Sequence, residues 1–421
     1  MIEGCGTCLC SDAGTRGTGG AGSWIREPCE NSSAIGQGHL ARRAMEPKSK
    51  TLPRLVHVAY SFGLGGAQAR IMQLIERLGG EFQHVLVARN GDYEAASRIP
   101  ASHGTVKLGA GHPVPRDLWS WRKYLASLKP DLLLTYNWGA IDAAAAARLH
   151  RLCPVIHTED GFGAEEAKRI KRRRVWFRRL VLSGIYKTVV PSRTLLKIAL
   201  EQYRLPAHRV AWIPNGVDSE RFCPGPRQQA REHLGLRKDW VWFGYVGGLR
   251  EEKQLDLLVD AFHRSNTEAT GLVLVGSGPE EQKLRQLVDR LGLEQRVVFA
   301  GPQERVERWY QALDVFVLAS MTEQMPLSLL EAMATGLAAV VTDVGDCSLL
   351  LGTRQWPEVV PPGDPVAMAR ALRQLAQDSE LRRTLGEKNR RRAIEHYPLE
   401  RMVQTYRELY SEALRVGRFG P

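Results

Sequence analysis

The sequence predicts an α/β fold in which two halves of similar size, each built on a parallel sheet, face each other across a cleft. Three observations support this prediction. Short apolar runs alternate with amphipathic helical segments from Leu55 onward, which is typical of a parallel sheet covered by helices. The alternation pauses in a segment that contains proline and glycine, at 212–230, and then restarts. Glycine-rich turns directly follow strands in both halves, where open α/β sheets bind ligands.

The elements of the first half follow in order. "LVHVAY" is its first predicted strand, "SFGLGGAQ" is the turn after it, and "ARIMQLIERL" is the first helix. Further strands are predicted at "HVLVAR", "DLLLTYN", "PVIHT" and "TVVPS". Further helices are predicted at "WSWRKYLASL" and "AIDAAAAARLH".

The second half repeats the pattern. Strands are predicted at "WVWFGYVGG", "TGLVLVGSG", "VVFAG", "DVFVLAS" and "AAVVTDVG". Helices are predicted at "QLDLLVDAFHR", "PEEQKLRQLVDRLG", "VERWYQAL" and "PVAMARALRQLAQD". The chain ends in one more amphipathic helix, "PLERMVQTYRELYSEALRV".

Composition and charge narrow the functional classes. The chain has 421 residues and a net charge of +12, which suggests an acidic partner such as a nucleotide, nucleic acid or anionic membrane. No apolar run of about 18 residues predicts a membrane-spanning helix. The N-terminus also lacks the charged and apolar regions of a secretory signal. We therefore expect a cytoplasmic protein.

Residues 1–50 differ from the rest of the chain. They are rich in glycine, serine, alanine and threonine without apolar periodicity, so we expect disorder there, or an extension upstream of a natural start at Met45. Cys5 and Cys8 form a C-x-x-C pair, but no second pair follows at zinc-finger spacing. No metal site is predicted.

Two glycine turns are candidates for ligand binding. "GLGGAQ" contains Gly65 and Gly66, and "GSGPEE" contains Gly276 and Gly278. Neither completes G-x-G-x-x-G, and the phosphate-binding loop of P-loop NTPases is absent from the sequence. Each is compatible with a tight turn that binds nothing. A position between a strand and a helix N-terminus favours an anionic ligand, because free backbone N–H groups point outward there.

Two glutamates, Glu323 and Glu331, stand eight residues apart around a predicted helix. Pro326 suits the first helical position, and Gly336 suits the residue just beyond the helix. Glu323 precedes the helix near its positive end, whereas Glu331 lies inside its apolar run. The pair could face one pocket, or Glu323 could be a capping carboxylate and Glu331 a solvated one.

The segment "TEQMPLSLLEAMATG" resembles the Glu-x7-Glu motif of the family 4 glycosyltransferases, retaining enzymes whose GT-B fold consists of two facing Rossmann-like domains. Other segments resemble that family in the same order, namely "GLGGAQARIMQLIERL", "IPNGVDSERF", "YVGGLREEKQLDLLVDAF" and "LVLVGSGPEEQKL". The resemblance implies an acceptor-side domain at 51–220 and a nucleotide-sugar-binding domain at 221–395. It also implies a C-terminal helix at 396–421 that crosses back to the first domain.

The resemblance also implies roles for individual residues. Glu323 is expected near the donor sugar and Glu331 at the ribose hydroxyls, while Lys253 neutralises the diphosphate as the leaving group gains charge. The expected substrate-binding residues are Gly65, Gly66, Gly276, Gly278, Met325, Leu327 and Glu331. No D-x-D motif occurs in the sequence, so we expect no metal requirement and no cofactor.

The sequence departs from the family pattern at two places. Gly248 stands where the family usually has an arginine, and Arg250 follows two residues later. The family often has a histidine near the sugar, and the matching position here is Asp160. His157 lies a few residues earlier and is the alternative, unless it packs at the end of its strand. The candidate catalytic residues are therefore Glu323, Lys253 and Asp160, with His157 in reserve.

The run Lys168–Arg179, "KRIKRRRVWFRR", holds eight basic residues with Trp176 and Phe177 among them. It could be a solvated helix face or a surface that meets an anionic membrane. Nucleic acid is not expected, because no nucleic-acid-binding motif accompanies the run.

Together these features predict a retaining, hexosyltransferase-type glycosyltransferase. It would move a sugar from a nucleotide-diphosphate sugar to a glycan or lipid-linked acceptor in bacterial surface polysaccharide or glycolipid synthesis. It would work in the cytoplasm or at the inner face of the plasma membrane. The alternatives are a nucleotide-sugar epimerase of the same fold and a non-catalytic binding protein with a decayed site, which Gly248 and Asp160 would favour.

Overall fold

The computed structural model describes residues 52–63, 65–99, 106–107, 115, 117–161 and 171–419. The predicted N-terminal extension, with its C-x-x-C pair and Met45, lies outside the described residues. So does the beginning of the basic run, Lys168–Ile170.

The first sheet has seven parallel strands in the order β3-β2-β1-β4-β5-β6-β7. The strands are β1 (Arg54–Ala59), β2 (Gln83–Ala88), β3 (Val106–Lys107), β4 (Leu132–Tyr136), β5 (Val155–Thr158), β6 (Lys187–Val190) and β7 (Val210–Trp212). The helices connecting them are α1 (Gly66–Leu78), α2 (Leu118–Leu128), α3 (Ile141–Leu149), α4 (Arg172–Leu182) and α5 (Arg193–Lys197), which continues as a π-helical turn, Ile198–Gln202.

Both faces of this sheet are buried. Along β1, Leu55 and Ala59 belong to one apolar cluster, and Val56 and Val58 belong to a second cluster on the opposite face. This alternation is the two-residue period of a strand. A parallel sheet is expected to be covered on both faces, because its crossover helices pack on each side.

The second sheet has six parallel strands in the order β10-β9-β8-β11-β12-β13. The strands are β8 (Val241–Val246), β9 (Thr270–Val275), β10 (Val297–Gly301), β11 (Val315–Leu318), β12 (Ala338–Thr342) and β13 (Val359–Val360). The helices of this half are α6 (Arg227–His233), α7 (Leu255–Ser265), α8 (Glu281–Arg290), α9 (Val306–Ala312), α10 (Leu327–Ala334), α11 (Cys347–Leu351), α12 (Pro365–Gln377) and α13 (Ser379–His396).

The two sheets share one topology. In each, the third, second and first strands of the half are followed across the sheet by the fourth, fifth and sixth, so the order reverses between β1 and β4 and between β8 and β11. Ligands of open α/β sheets bind at this reversal, outside the carboxyl ends of the strands. The predicted α/β fold with two parallel sheets is confirmed.

Helix α14 (Leu399–Phe419) follows the second half in sequence but packs on the first sheet. Met402, Tyr406 and Tyr410 belong to the same apolar cluster as Leu55. The chain returns beside the earlier connection, because Val217 exchanges two backbone hydrogen bonds with residues 397–399. The core of the first half is thus completed by the end of the chain.

The structure also contains elements that the sequence patterns did not predict. They include the short strands β3, β7 and β13, the short helices α5, α6 and α11, and the 18-residue helix α13. Pro326 is the residue before α10 rather than its first helical residue, and the helix begins at Leu327. Gly336 follows the helix in the left-handed conformation, at φ 81°, as predicted.

Candidate functional site

Lys253 and Glu323 form an ion pair beside the carboxyl ends of β8 and β11. Lys253 Nζ donates to Glu323 Oε1 at 2.7 Å, and both side chains are largely buried. Lys253 ends a single 3-10 turn after β8, and Glu323 lies in the loop after β11. Because β8 and β11 are neighbours at the reversal of strand order, the fold brings these distant residues together.

The Glu323 loop is held from several sides. Ser320 Oγ donates to Glu323 Oε1 at 2.7 Å, and Thr342 Oγ1 donates to the Ser320 carbonyl at 2.7 Å. A Cβ added to Gly345 would lie 2.0 Å from the Glu323 carbonyl oxygen, and Gly345 has φ 55°. Only glycine therefore allows the backbone to approach Glu323 this closely.

Helix α10 begins directly after this loop with an open N-terminus. Pro326 precedes it without a capping side chain. Within the described part of the chain, the backbone N–H groups of Met325 and Leu327 donate no hydrogen bond. These groups form the positive end of the helix, which favours an anionic or hydroxyl-bearing ligand.

Glu331 lies one turn further along α10. Its Oε2 accepts a hydrogen bond from Tyr310 Oη at 2.7 Å. Burial raises the pKa of Glu331 to about 7, although the bond from Tyr310 and the charge of Arg221 oppose this shift. The interpretation of Glu331 as a solvated carboxylate is therefore wrong. Tyr310 was missed by the sequence analysis, since nothing in "VERWYQAL" marks a partner 21 residues away.

The glycine turn after β9 packs against the loop after β8. A Cβ on Gly276 would lie 2.0 Å from the Gly247 carbonyl oxygen, and a Cβ on Gly278 would lie 2.3 Å from the Leu249 carbonyl oxygen. Leu249 N donates to the Ser277 carbonyl at 2.9 Å. Close packing of the two loops thus explains why Gly276 and Gly278 are glycines. This explanation requires no ligand.

Gly248 leaves space that Arg250 fills in part. Arg250 Nε lies 3.2 Å from the position that a Cβ on Gly248 would take. The Arg250 side chain is exposed, and within the described residues it forms no hydrogen bond or ion pair. The guanidinium of Arg250 therefore lies beside Gly248, the position where the family usually has arginine.

Gly65 and Gly66 stand at the open N-terminus of α1 in the first half. Both are exposed, and Gly65 makes no side-chain cap for the helix. A Cβ on Gly66 would meet nothing within 4 Å, whereas one on Gly65 would lie 2.6 Å from Gln68 Oε1. Gly66 therefore borders open space, and no packing contact requires a glycine there.

Asp160 is held by a buried arginine. Arg70 NH1 lies 2.5 Å from Asp160 Oδ1, and Arg70 NH2 donates to Asp160 Oδ2 at 2.9 Å. The Asp160 backbone N–H donates to Asn137 Oδ1 at 2.7 Å. Both carboxylate oxygens are thus engaged by Arg70, which fixes the orientation of the group.

His157 lies in the core rather than beside a cavity. Its Nδ1 bonds to Thr135 Oγ1 at 2.8 Å, and its Nε2 bonds to Glu159 Oε1 at 3.2 Å. Burial alone would raise the pKa of Glu159, but Arg178 and His157 lower it to about 2. Of the two interpretations of His157, the structure favours a histidine packed at the end of its strand.

The two halves meet at the residues that follow Glu323. Ser192 Oγ donates to Gln324 Oε1 at 3.0 Å, and Asn215 Nδ2 donates to the Met325 carbonyl at 2.8 Å. Asn215 lies in the segment "IPNGVDSERF", whose sequence alone indicates no role for it. A pattern within one segment cannot show a partner more than one hundred residues away.

The basic run divides into exposed and buried parts. Arg172, Arg173 and Trp176 are exposed on α4. Arg178 is fully buried, and its Nε donates to Glu159 Oε1 at 2.8 Å. Phe177 packs edge-on against Trp138. The run is therefore not a uniform surface, because Arg178 and Phe177 belong to the interior.

The described residues offer neither a metal-binding cluster nor a membrane-spanning helix. They contain no group of three or more His, Cys, Asp and Glu side chains arranged to hold a metal ion. None of their helices combines the length and apolarity that a bilayer span requires.

Comparison with known proteins agrees with the geometry. The glycosyltransferase family 4 model matches residues 64–221, and the glycosyl transferases group 1 model matches residues 241–378. N-acetyl-alpha-D-glucosaminyl L-malate synthase of Bacillus anthracis is 29% identical over 244 residues, which are 57% of this chain and 64% of that one, less than two thirds of its length.

A second relative and a solved structure extend the comparison. UDP-Gal:alpha-D-GlcNAc-diphosphoundecaprenol alpha-1,3-galactosyltransferase of Escherichia coli is 26% identical over 306 residues, covering 70% of this chain and 79% of that one. Anabaena HepE in complex with UDP-glucose superposes with a TM-score of 0.73 at 19% identity, covering 85% of this chain and 99% of that one. The shared architecture confirms the GT-B fold. Since the two family models together span more than half of its residues, the chain belongs to the group 1 glycosyl transferases.

Proposed function

We propose that this protein transfers a sugar from a nucleotide-diphosphate sugar to a hydroxyl group of a glycan or lipid-linked acceptor, with retention of the anomeric configuration. The single observation that carries the proposal is the Lys253–Glu323 pair beside the open N-terminus of α10. A cation, a carboxylate and free N–H groups stand at the strand ends where this fold binds nucleotides.

The donor diphosphate would bind at the positive side of this pair. Lys253 and the N–H groups at the start of α10 would attract its oxygens, and Arg250 is a free cation nearby. Glu323 would then exchange Lys253 for hydroxyl groups of the donor sugar, since a carboxylate can accept two hydroxyl hydrogen bonds. Glu331 would accept the ribose hydroxyls in its ionised form.

The reaction exchanges one bond for another at the anomeric carbon. The acceptor oxygen bonds to that carbon while the bond to the phosphate oxygen breaks, and the electron pair of the broken bond stays on the phosphate. The acceptor proton passes to the departing phosphate on the same face of the sugar. Lys253 stabilises the charge that develops on the leaving group, which is the largest effect that such a site can supply.

A lipid-linked acceptor would require contact with a membrane, and α4 offers a suitable surface. Trp176 is 65% exposed there, beside exposed Arg172 and Arg173. Helix α3 lies beside α4, because Arg148 donates to the Leu180 carbonyl, and Leu149 on α3 is 64% exposed.

The same surface reaches α2. The ring of Trp119 packs on His150, the neighbour of Leu149, and is itself 62% exposed. Arg122 lies over the Trp119 ring. Exposed aromatic residues bordered by arginines are suited to the interface of an anionic bilayer. The name of the Escherichia coli relative contains a diphosphoundecaprenol, which is an acceptor of this chemical class.

Vesicle sedimentation tests the membrane proposal. Binding to vesicles that contain an anionic phospholipid should weaken about thirtyfold in Arg172→Glu, because each unit of charge near such a surface contributes about 1 kcal/mol and the substitution changes the charge by two units. Arg290→Glu in exposed α8 is the charge-matched control. Equal binding to neutral and anionic vesicles would contradict the proposal.

A thermal-shift panel of UDP-, GDP- and ADP-sugars tests the donor class. A ligand present at one hundred times its dissociation constant stabilises the protein by about 2.7 kcal/mol. Turnover of the donor that binds should continue in EDTA and should fall at least 100-fold in Glu323→Gln. A protein that binds a nucleotide sugar but forms no product would be a binding protein with a decayed site, which Gly248 would favour. Equal product formation in wild type and Glu323→Gln would mean that the chemistry takes place at another site.

A further inference from the structure

We propose that Gln324, Met325 and Asp346 form a clamp through which the first half fixes the position of Glu323, and that Asn215 and Asp346 are positioning residues. The inference rests on the proposed function for its consequence in turnover, but its structural part stands alone. Three members of the clamp, Gln324, Met325 and Asp346, each accept a hydrogen bond from the first half beside the candidate site.

Asp346 holds the beginning of helix α5 in the first half. Its carboxylate accepts bonds from Arg193 N at 2.6 Å, Thr194 N at 3.1 Å and Thr194 Oγ1 at 2.9 Å. A carboxylate at a helix N-terminus is stabilised by the free N–H groups and by the helix dipole. Asp346 itself is buried and belongs to the second half.

The same aspartate is bonded to the Glu323 loop. Asp346 N donates to the Gln324 carbonyl at 2.9 Å. The Gln324 side chain accepts from Ser192 Oγ at 3.0 Å, and Ser192 is the residue that caps α5. Gln324, Asp346 and the start of α5 therefore form one buried group of hydrogen bonds.

A second arm of the clamp joins Met325 to Asp160. Asn215 Nδ2 donates to the Met325 carbonyl at 2.8 Å, and Asn215 Oδ1 accepts from Arg70 at 3.2 Å. Arg70 in turn holds the carboxylate of Asp160. Asp160 is thus connected to the Glu323 loop through two buried side chains, which gives it a role without substrate contact.

The two arms connect the segment around Glu323 to both halves of the protein. Its carboxylate is bonded to Lys253 and Ser320 in the second half, while the next two residues are bonded to the first half. A movement of one half against the other therefore changes the backbone that carries Glu323. Glu331 and Tyr310, at the proposed nucleotide end of the site, make no such bond to the described residues of the first half.

Hydrogen exchange of the ligand-free protein tests the structural part. Asn215→Ala and the shape-preserving Asp346→Asn should each raise amide exchange in residues 322–328 at least tenfold. Arg77→Ala is the control, since it removes an exposed ion pair to Asp218 and leaves the clamp intact. Unchanged exchange in both clamp variants would overturn the proposal.

Kinetics with UDP-glucose as the probe tests the consequence. The clamp predicts a tenfold or greater fall in kcat for Asp346→Asn, with the affinity for UDP changed less than twofold, because the ribose end lies wholly in the second half. A parallel loss of UDP affinity would show a merely structural role and would refute the inference. A wild-type protein that processes no nucleotide sugar would refute the proposed function, whereas the exchange result would still decide the clamp.

Discussion

The two halves share one strand order but build their interiors differently. The first half buries histidines within its strands: His57 in β1, His84 in β2 and His157 in β5. The strands of the second half pack one large apolar cluster. The polar groups of its candidate site, Lys253 and Glu323, stand in a 3-10 turn and a loop instead.

A second difference concerns independence. The apolar cluster on one face of the first sheet contains Leu399, Met402, Tyr406 and Tyr410 from α14, the last helix of the chain. The second half takes its core from residues 217–393 alone. The first half therefore depends on the last helix of the chain for its core, whereas the core of the second half is more self-contained.

Deletion of residues 398–421 should give the largest effect. Each large buried side chain that is lost costs about 2–5 kcal/mol, so the loss of this helix exceeds the stability of an ordinary domain, about 5–15 kcal/mol. We expect the first half to unfold while the second half keeps its structure. Hydrogen exchange resolved by segment would show this, and cooperative unfolding of an intact first half would contradict it.

The buried pair of Glu159 and Arg178 is the next test. Glu159→Gln removes the carboxylate charge that Arg178 bonds to inside the first half, which should cost about 3–5 kcal/mol of the free energy of unfolding. Urea denaturation measures the loss. Arg383→Ala, which breaks exposed ion pairs on α13, is the control and should cost less than about 1 kcal/mol. Equal losses in both variants would contradict the assignment of the pair to the core.

These residues show how much of the candidate site can be predicted from the sequence. The alternation of strands and helices placed Lys253 and Glu323 at strand ends, and the motif resemblance assigned them to one site. Their bond joins residues 70 positions apart, which no local pattern contains. Arg178 was counted with a surface run because its partner, Glu159, lies in another element.

Helix α13 shows a second limit. Its residues are polar on nearly every side, so it lacks the apolar stripe that predicts a helix. The structure supplies the missing reason: Arg382, Arg390 and Arg392 bond to carbonyl groups at the ends of α12, α10 and α11. Such caps are favourable at helix C-termini but leave no periodic pattern in the sequence.

Gly345→Ala tests the platform of the second half. The added Cβ would meet the Glu323 carbonyl and would force a residue other than glycine to adopt φ 55°. We expect a loss of about 1–3 kcal/mol from strain and at least a tenfold loss of turnover from displacement of Glu323. Gly363→Ala separates the two causes, because Gly363 has φ 75° with nothing within 4 Å of an added Cβ. Equal turnover in the two variants would count against the displacement of Glu323.

The smallest effect is a pH dependence of opposite sign in the two halves. Burial lowers the pKa of His84 from 6.5 to about 4, so its contribution to stability is complete above pH 6.5 and is lost as the pH falls toward 4. Burial raises the pKa of Glu331 from 4.5 to about 7, so its contribution is complete below pH 4.5 and is lost as the pH rises toward 7. Between these limits each group changes the stability by up to about 1.4 kcal/mol per pH unit, in opposite directions.

Substitution of either residue should therefore reveal the pH dependence that the other residue contributes to stability. His84→Leu removes the first contribution, so the free energy of unfolding should fall more steeply, or rise less, as the pH increases from 4.5 to 6.5. Glu331→Gln removes the second, and stability should then rise more steeply across the same interval. Chemical denaturation at four or five pH values measures both slopes. The sign of each slope follows from the protonation state that the interior favours, which is neutral histidine at His84 and neutral carboxyl at Glu331. If both variants changed the slope in the same direction, the contrast between the two halves would be wrong at these positions.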